Sequence, residues 1–214
     1  MKDLSDYRKN YLQNELLEIN LPQNPMGLFE NWFAENEQID TENEANAMTI
    51  ATIGLDGYPK SRVVLLKAIE PDGFVFYTNY DSQKGRAILK NPQVCLSFFW
   101  QKLERQVIIK GIATKIDSEK SDVYFESRPR GSQIGAIVSN QSEVIESREF
   151  LEKKQHILEN QSATINLKRP ENWGGFIVNP IEIEFWQGRS NRLHDRIRYQ
   201  LAADHKWVIN RLSP

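Results

Sequence analysis

Apolar residues in the first half of the chain come in short β-rich runs divided by turn residues. Residues 48–53, 61–69 and 74–78 are such runs, separated by Asp56-Gly57, which reads as a hairpin turn, and by Pro71-Asp72-Gly73. Residues 93–100 and 106–115 predict further strands, as do 173–178, 181–186, 192–199 and 206–209 near the end. Between these lie helical patterns. Pro25 opens a helix whose Leu28, Phe29, Trp32 and Phe33 form one apolar stripe, followed by an acidic loop over 35–44. Ser82 caps a short helix running to Leu89, stopped by Asn91-Pro92. Ser118 caps a helix carrying Val123, Tyr124 and Phe125, another helix starts near Ser132, and 146–160 is charged and helical in pattern. The polar first 24 residues suit either a loose helix or an ordered arm. About eight strands with short helices between them predict a mainly β, antiparallel barrel with peripheral helices. No repeat or compositional shift marks a boundary, so 25–214 reads as one domain preceded by an arm at 1–24.

Composition narrows the function classes. The chain has 214 residues, 40% of them apolar, which suits a globular protein with a substantial core. A net charge of -2 gives no global attraction to nucleic acid or membrane, so any anion site must be local. The single Cys95, in an apolar run, rules out an internal disulfide and is expected to be a buried packing residue of a cytoplasmic protein. No apolar run approaches the roughly 20 residues that span a bilayer. Three histidines and one cysteine, without HxxxH or CxxC spacing, offer no metal site. His156 and His205 sit in polar surroundings and read as surface residues.

Local clusters of cations carry the candidate chemistry. If 192–199 is a regular strand, Arg192, His194, Arg196 and Arg198 share one face beside Phe185 and Trp186, a floor for phosphorylated, planar ligands. In 62–67 a cation stands at each end of an apolar run. On a regular strand Arg62 and Lys67 face opposite sides and serve two anions, unless a bulge intervenes; two solvated strand ends is the plainer alternative. Tyr77-Thr78-Asn79 leading into the Ser82-capped helix with Lys84 makes a phosphate seat. Tyr124 and Arg128, four apart, share a helix face, as do Arg128 and Ser132 if Pro129 does not break the helix; together the three side chains suit a phosphate monoester.

Arg-Val-Val-Leu-Leu-Lys, Tyr-Thr-Asn, Leu-Glu-Arg-Gln-Val, Ser-Arg-Pro-Arg-Gly-Ser-Gln-Ile-Gly-Ala, Trp-Gly-Gly-Phe and Glu-Phe-Trp-Gln-Gly followed by Arg-Leu-His-Asp-Arg occur in that order. This set resembles the pyridoxine/pyridoxamine 5′-phosphate oxidase family over nearly the whole chain. The resemblance implies an FMN-binding split β-barrel of Greek-key type, acting as a homodimer with FMN at the subunit interface. It assigns FMN binding to Arg62, Val63, Val64, Leu65, Leu66, Lys67, Tyr77, Thr78, Gln83, Lys84, Gln106, Gln141, Ser142, Trp186 and Arg196. It assigns substrate binding to Lys67, Tyr124, Arg128, Ser132, Arg192, Leu193 and His194, with Arg192 and His194 at the reacting ring and Arg8 and Tyr11 closing over the site. Arg198 receives no role.

The implied reaction is FMN-dependent oxidation of pyridoxine 5′-phosphate and pyridoxamine 5′-phosphate to pyridoxal 5′-phosphate. O2 is the acceptor, H2O2 is released, and NH3 leaves from the amine. The alternative is a non-catalytic pyridoxal 5′-phosphate or flavin binder of the same fold. Gln83 departs from the arginine frequent in the family, which removes a cation near the FMN phosphate and lowers the expected flavin affinity. The segment 43–48 lacks the usual proline, and the N-terminal segment is short.

Overall fold

Asn24 accepts a hydrogen bond from the Met26 amide at 3.0 Å, and Pro25 occupies the first helical turn, where its missing N–H costs nothing. Helix α1 (Pro25–Ile39) follows in this computed structural model, which describes residues 2–7, 9–162 and 165–214. The helix buries Met26, Leu28, Phe29 and Trp32. It runs further than the expected loop from 35. Glu35 pairs with the buried Arg105 and Asn36 lies in the core, so tertiary contacts hold the last turn against its acidic composition.

Nine strands are present among the described residues: β1 (Ala47–Ile53), β2 (Pro59–Leu65), β3 (Ala68–Glu70), β4 (Gly73–Asn79), β5 (Gln93–Trp100), β6 (Arg105–Lys115), β7 (Trp173–Gln187), β8 (Asp195–Leu201) and β9 (Trp207–Leu212). Their order is β2-β1-β5-β6-β7-β4-β3, with β8 pairing β7 and β9 pairing β8. The helices beyond α1 are α2 (Gln83–Lys90), α3 (Ser118–Ser127), α4 (Arg130–Val138) and α5 (Arg148–Ser162). The fold is mainly β with peripheral helices, as the sequence pattern predicts. No helix among the described residues is long and apolar enough to cross a membrane.

The chain forms two compact units. The first comprises the segment ending at Ile50, Cys95–Gly111 and Pro180–Pro214. Here Phe29 is fully buried with Phe98 5.1 Å away edge-on, and Trp32 packs edge-on to Phe185 at 5.2 Å. Each such ring contributes about 1.5–3 kcal/mol by leaving water. β7 and β8 pair antiparallel with Trp186 opposite Arg196 and Glu184 opposite Arg198. Cys95 is half-buried rather than fully buried. Its thiol pKa is pushed up chiefly by that burial and also by Glu182, against an opposing pull from Lys110, which pairs with Glu182.

The second unit comprises Ala51–Val94 and Ile112–Asn179. β4 pairs antiparallel with the start of β7, placing Phe76 opposite Phe176. Ser82 caps α2 by accepting from the Gly85 amide at 3.1 Å and donates to the Asn79 carbonyl at 2.7 Å. Gly85 lies so close to that turn that a Cβ would stand 2.2 Å from the Tyr80 carbonyl oxygen.

Four sequence expectations need correction here. The run 61–69 is two strands, β2 and β3, divided at Leu66-Lys67, where the buried Leu66 turns inward and the Lys67 amide donates to the Val75 carbonyl. Residues 173–187 form one strand, continuous through Asn179-Pro180. Helix α3 is preceded by Asp117 as its cap residue, and the Ser118 hydroxyl instead accepts from Arg169 at 2.6 Å. Finally, β8 starts at Asp195, not at 192. Asn191 and Arg192 have positive φ (57° and 61°), which no strand accommodates.

Candidate functional site

The second unit holds a cavity of about 280 Å³ lined by Val63, Val64, Leu65, Lys67, Tyr77, Thr78, Lys84, Tyr124, Arg128, Gln141 and Trp173. The end of β2 supplies the apolar side, β4 supplies Tyr77 and Thr78, and the first turn of α2 supplies Lys84. The Lys84 ammonium donates to Gln141 at 2.7 Å and to Thr78 at 3.1 Å. Neither partner carries negative charge. Burial, with Arg62 adding repulsion, pushes the Lys84 pKa down to about 8. Ser142, whose backbone is left-handed (φ 76°), accepts from the Gln83 amide at 3.3 Å.

The same cavity carries an aromatic stack. Tyr77 and Tyr124 lie face to face at 3.8 Å, and Trp173 lies parallel to Tyr77 at 5.6 Å. The Arg128 guanidinium sits 4.6 Å over the Trp173 ring, and its Nη1 is buried without a hydrogen-bond partner. Burial lowers its pKa. A buried guanidinium nitrogen left unsatisfied is costly, and an anion is the partner that relieves the cost.

Helix α3 ends before Arg128, which takes an extended conformation because Pro129 disfavours helical geometry in the residue before it. Arg128 and Ser132 therefore do not share a helix face. Ser132 is exposed on α4 and does not line the cavity, so the structure brings Tyr124 and Arg128 together without it. Arg62 faces another pocket, of about 220 Å³, with Lys60, Gln83 and Arg86. Arg62 and Lys67 thus serve different cavities. Leu66 belongs to the core. Residue patterns do not single out Trp173, Lys60 or Arg86; only the Trp-Gly-Gly-Phe motif points at the first.

The first unit holds a second cavity, of about 580 Å³, lined by Tyr7, Lys9, Asn10, Tyr11, Arg189, Asn191, Arg192 and His194. Arg192 is exposed on a short 3-10 turn, Ser190–Arg192, and the side chain of Leu193 is 69% exposed. The His194 Nδ1 accepts from the Arg189 amide at 3.0 Å, which fixes the neutral ring with its proton on Nε2. Its pKa is lowered by burial first and by Arg192 second, against an opposing pull from Asp195. His194 lies 4.7 Å from the Trp186 ring, and Tyr11 stands edge-on to Trp186 at 5.7 Å. Arg8, expected beside Tyr11, lies outside the described residues.

The basic row divides as the backbone dictates. Arg192 and His194 precede β8. Arg196, on β8, is held by Glu184 at 2.7 and 3.2 Å, and this pairing raises its pKa. Arg198 has a buried, unpartnered Nε. Gln106 on β6 donates to Ser97 at 3.4 Å within the same unit.

The family model described as pyridoxamine 5′-phosphate oxidase matches residues 35–160. The one described as the pyridoxine 5′-phosphate oxidase C-terminal dimerisation region matches 173–214. A pyridoxine/pyridoxamine 5′-phosphate oxidase of Flavobacterium psychrophilum is 62% identical, covering 100% of both chains. One of Nostoc sp. is 51% identical, covering 100% of this chain and 99% of its own. Among solved structures, PhzG from Burkholderia lata in complex with tetrahydrophenazine-1-carboxylic acid aligns with a TM-score of 0.86 at 28% identity, covering 93% of this chain and 98% of that one. A pyridoxamine 5′-phosphate oxidase-related, FMN-binding protein from Nostoc punctiforme shares the fold at a TM-score of 0.71 and 14% identity, covering 91% and 100%. These likenesses place the chain among oxidoreductases of the split-barrel class. It belongs to the pyridoxamine 5′-phosphate oxidase family.

Proposed function

We propose that this protein oxidises pyridoxine 5′-phosphate and pyridoxamine 5′-phosphate to pyridoxal 5′-phosphate, with FMN as cofactor and O2 as acceptor, as a cytoplasmic homodimer. The carrying observation is the buried, unpartnered Nη1 of Arg128 in a cavity that also presents Lys67, Lys84 and Tyr124. That donor set fits phosphate esters, and both the cofactor and the substrate carry one.

Lys84, Thr78, Gln141, Ser142 and the 62–67 segment would hold FMN in the second unit, with Gln83 beside them. Gln106, Trp186 and Arg196 are further FMN positions that the family resemblance implies. When bound, FMN would supply the redox chemistry, a two-electron oxidation at C4′ of the substrate coupled to reduction of O2 to H2O2. The remaining tasks belong to this chain's own side chains. Arg128 and Lys67 bind the substrate phosphate by charge-assisted hydrogen bonds, and the Tyr124 hydroxyl adds a donor. The exposed Arg192 presents a planar cation able to stack on the pyridine ring and offset developing charge. His194, neutral with its proton on Nε2, donates to a ring substituent and orients it. With the amine, water hydrolyses the resulting imine and NH3 leaves.

The test is anaerobic mixing of the FMN-loaded protein with each substrate while following flavin absorbance. Bleaching, recovery on admitting air, and formation of pyridoxal 5′-phosphate are expected. An unchanged spectrum with both substrates overturns the oxidase reading and favours a binder of the same fold.

A further inference from the structure

Glu104 is a buried carboxylate whose hydrogen-bond partners come from far away in sequence. The residue is 2% exposed and sits in the left-handed conformation (φ 55°) at the turn between β5 and β6. Its Oε2 accepts from the Leu12 amide at 2.8 Å and the Gln13 amide at 3.2 Å. The Lys9 ammonium stands 3.8 Å from Oε1. All three partners lie on the N-terminal arm. Without the arm, the carboxylate would be left without these donors, a costly state for a buried charge.

The corner that carries Glu104 is itself fixed. Its carbonyl accepts from the Gly188 amide at 2.7 Å and from the fully buried Gln187 side chain at 3.3 Å, and Gln187 accepts from Arg105 at 2.9 Å. Downstream, the arm is held separately. Asp195 accepts from the Leu16 amide at 3.1 Å, Arg211 donates to the Leu16 carbonyl at 2.7 Å, and Arg189 reaches Glu15 at 3.1 Å. Glu104 grips the residue next to Tyr11. Tyr11 in turn packs on Gly188 so tightly that a Cβ there would lie 2.8 Å from the Tyr11 ring, and it faces both Trp186 and His194.

We propose that Glu104 is a positioning residue: by accepting from the Leu12 and Gln13 amides it sets Tyr11 as one wall of the cavity that Arg192 and His194 share. The effect on catalysis rests on the function proposed above, whereas the hold on the arm does not.

Two readouts test it. In Glu104→Ala, trypsin cleaves after Lys9 faster than in the unaltered chain, and KM for pyridoxine 5′-phosphate rises about tenfold with a much smaller change in kcat, the size expected for losing a charge-assisted hydrogen bond. Combined with Tyr11→Ala, the loss is far less than the product of the two single effects, because both act through one wall. Should Glu104→Ala fail to fold, the isosteric Glu104→Gln carries the test, keeping one acceptor and showing smaller shifts in the same direction. Unchanged proteolysis, multiplicative effects with Tyr11→Ala, or a fall in kcat at constant KM each overturn the proposal. Faster proteolysis in a protein that proves to lack oxidase activity would sustain the hold on the arm and overturn only the functional reading.

Discussion

The Arg128 guanidinium lies 4.6 Å over the Trp173 ring, while one terminal nitrogen of the same group is buried with no hydrogen-bond partner. The ring fixes the plane of the cation and leaves a donor for a ligand. Arg128→Ala should therefore weaken phosphate recognition more than it harms the fold. A lost charge-assisted hydrogen bond of about 1.5–3 kcal/mol corresponds to roughly a 10- to 150-fold rise in KM for phosphorylated substrate. Steady-state kinetics would decide it, and an unchanged KM would move the phosphate site elsewhere.

Lys84 makes a pH-dependent prediction with two opposite signs. Its folded pKa of about 8 lies below the usual 10.5, so the unfolded chain binds more protons between those values. Lys84 therefore penalises folding of the ligand-free protein below pH 8, and the penalty fades as pH rises from there toward 10.5. Binding of an anion prefers the charged ammonium, so FMN affinity should fall as pH rises through about 8. Flavin fluorescence titrations across this range should show the fall in the unaltered protein and lose it in Lys84→Met. A slope that survives the substitution would assign it to another group.

Arg192→Met should lower turnover much more than FMN binding, because Arg192 lines the cavity of Tyr11 and His194, whereas the Lys84 ammonium is held by Thr78 and Gln141. Turnover and flavin titration measured on one preparation separate the two effects. Equal losses would count against a role at the reacting ring.

Arg105 is a stability determinant. It is buried, pairs with Glu35, donates to Gln187 at 2.9 Å and lies 4.3 Å over the Trp32 ring. Arg105→Ala leaves a buried amide oxygen short of a donor and should cost about 2–4 kcal/mol in denaturant unfolding. A loss below about 1 kcal/mol would show that Gln187 finds another partner.

Much of this architecture is legible in the chain. The runs that become β1, β4, β5 and β6 carry local β patterns, and the Asn24-Pro25 and Ser82 starts of α1 and α2 are local capping events. The failures differ in cause. The pattern separates 173–178 from 181–186, yet β7 continues through Asn179-Pro180. The break after Leu65 interrupts an unbroken apolar run, because β4 takes up the Lys67 amide. The positive φ of Asn191 and Arg192 carries no glycine to announce it. At the candidate site, Tyr77, Lys84, Tyr124 and Arg128 come from residue types with evident affinity for phosphate. Gln141 and Ser142 carry no such mark and are indicated only by the family resemblance. Trp173 and Glu104 matter through what packs against them, and periodicity is silent on that.

Gly85 bears on how freely this protein can vary. Gly27, Gly131 and Gly135 face open space, and each should accept alanine without a steric clash. Gly85 cannot, because a methyl group there would collide with the Tyr80 and Asn79 carbonyls and lever α2 off the turn that aims Lys84 at Thr78 and Gln141. In a saturation library, position 85 should tolerate no replacement. Diversification of the anion pocket is thereby channelled into side chains at its rim, and the turn beneath them stays invariant.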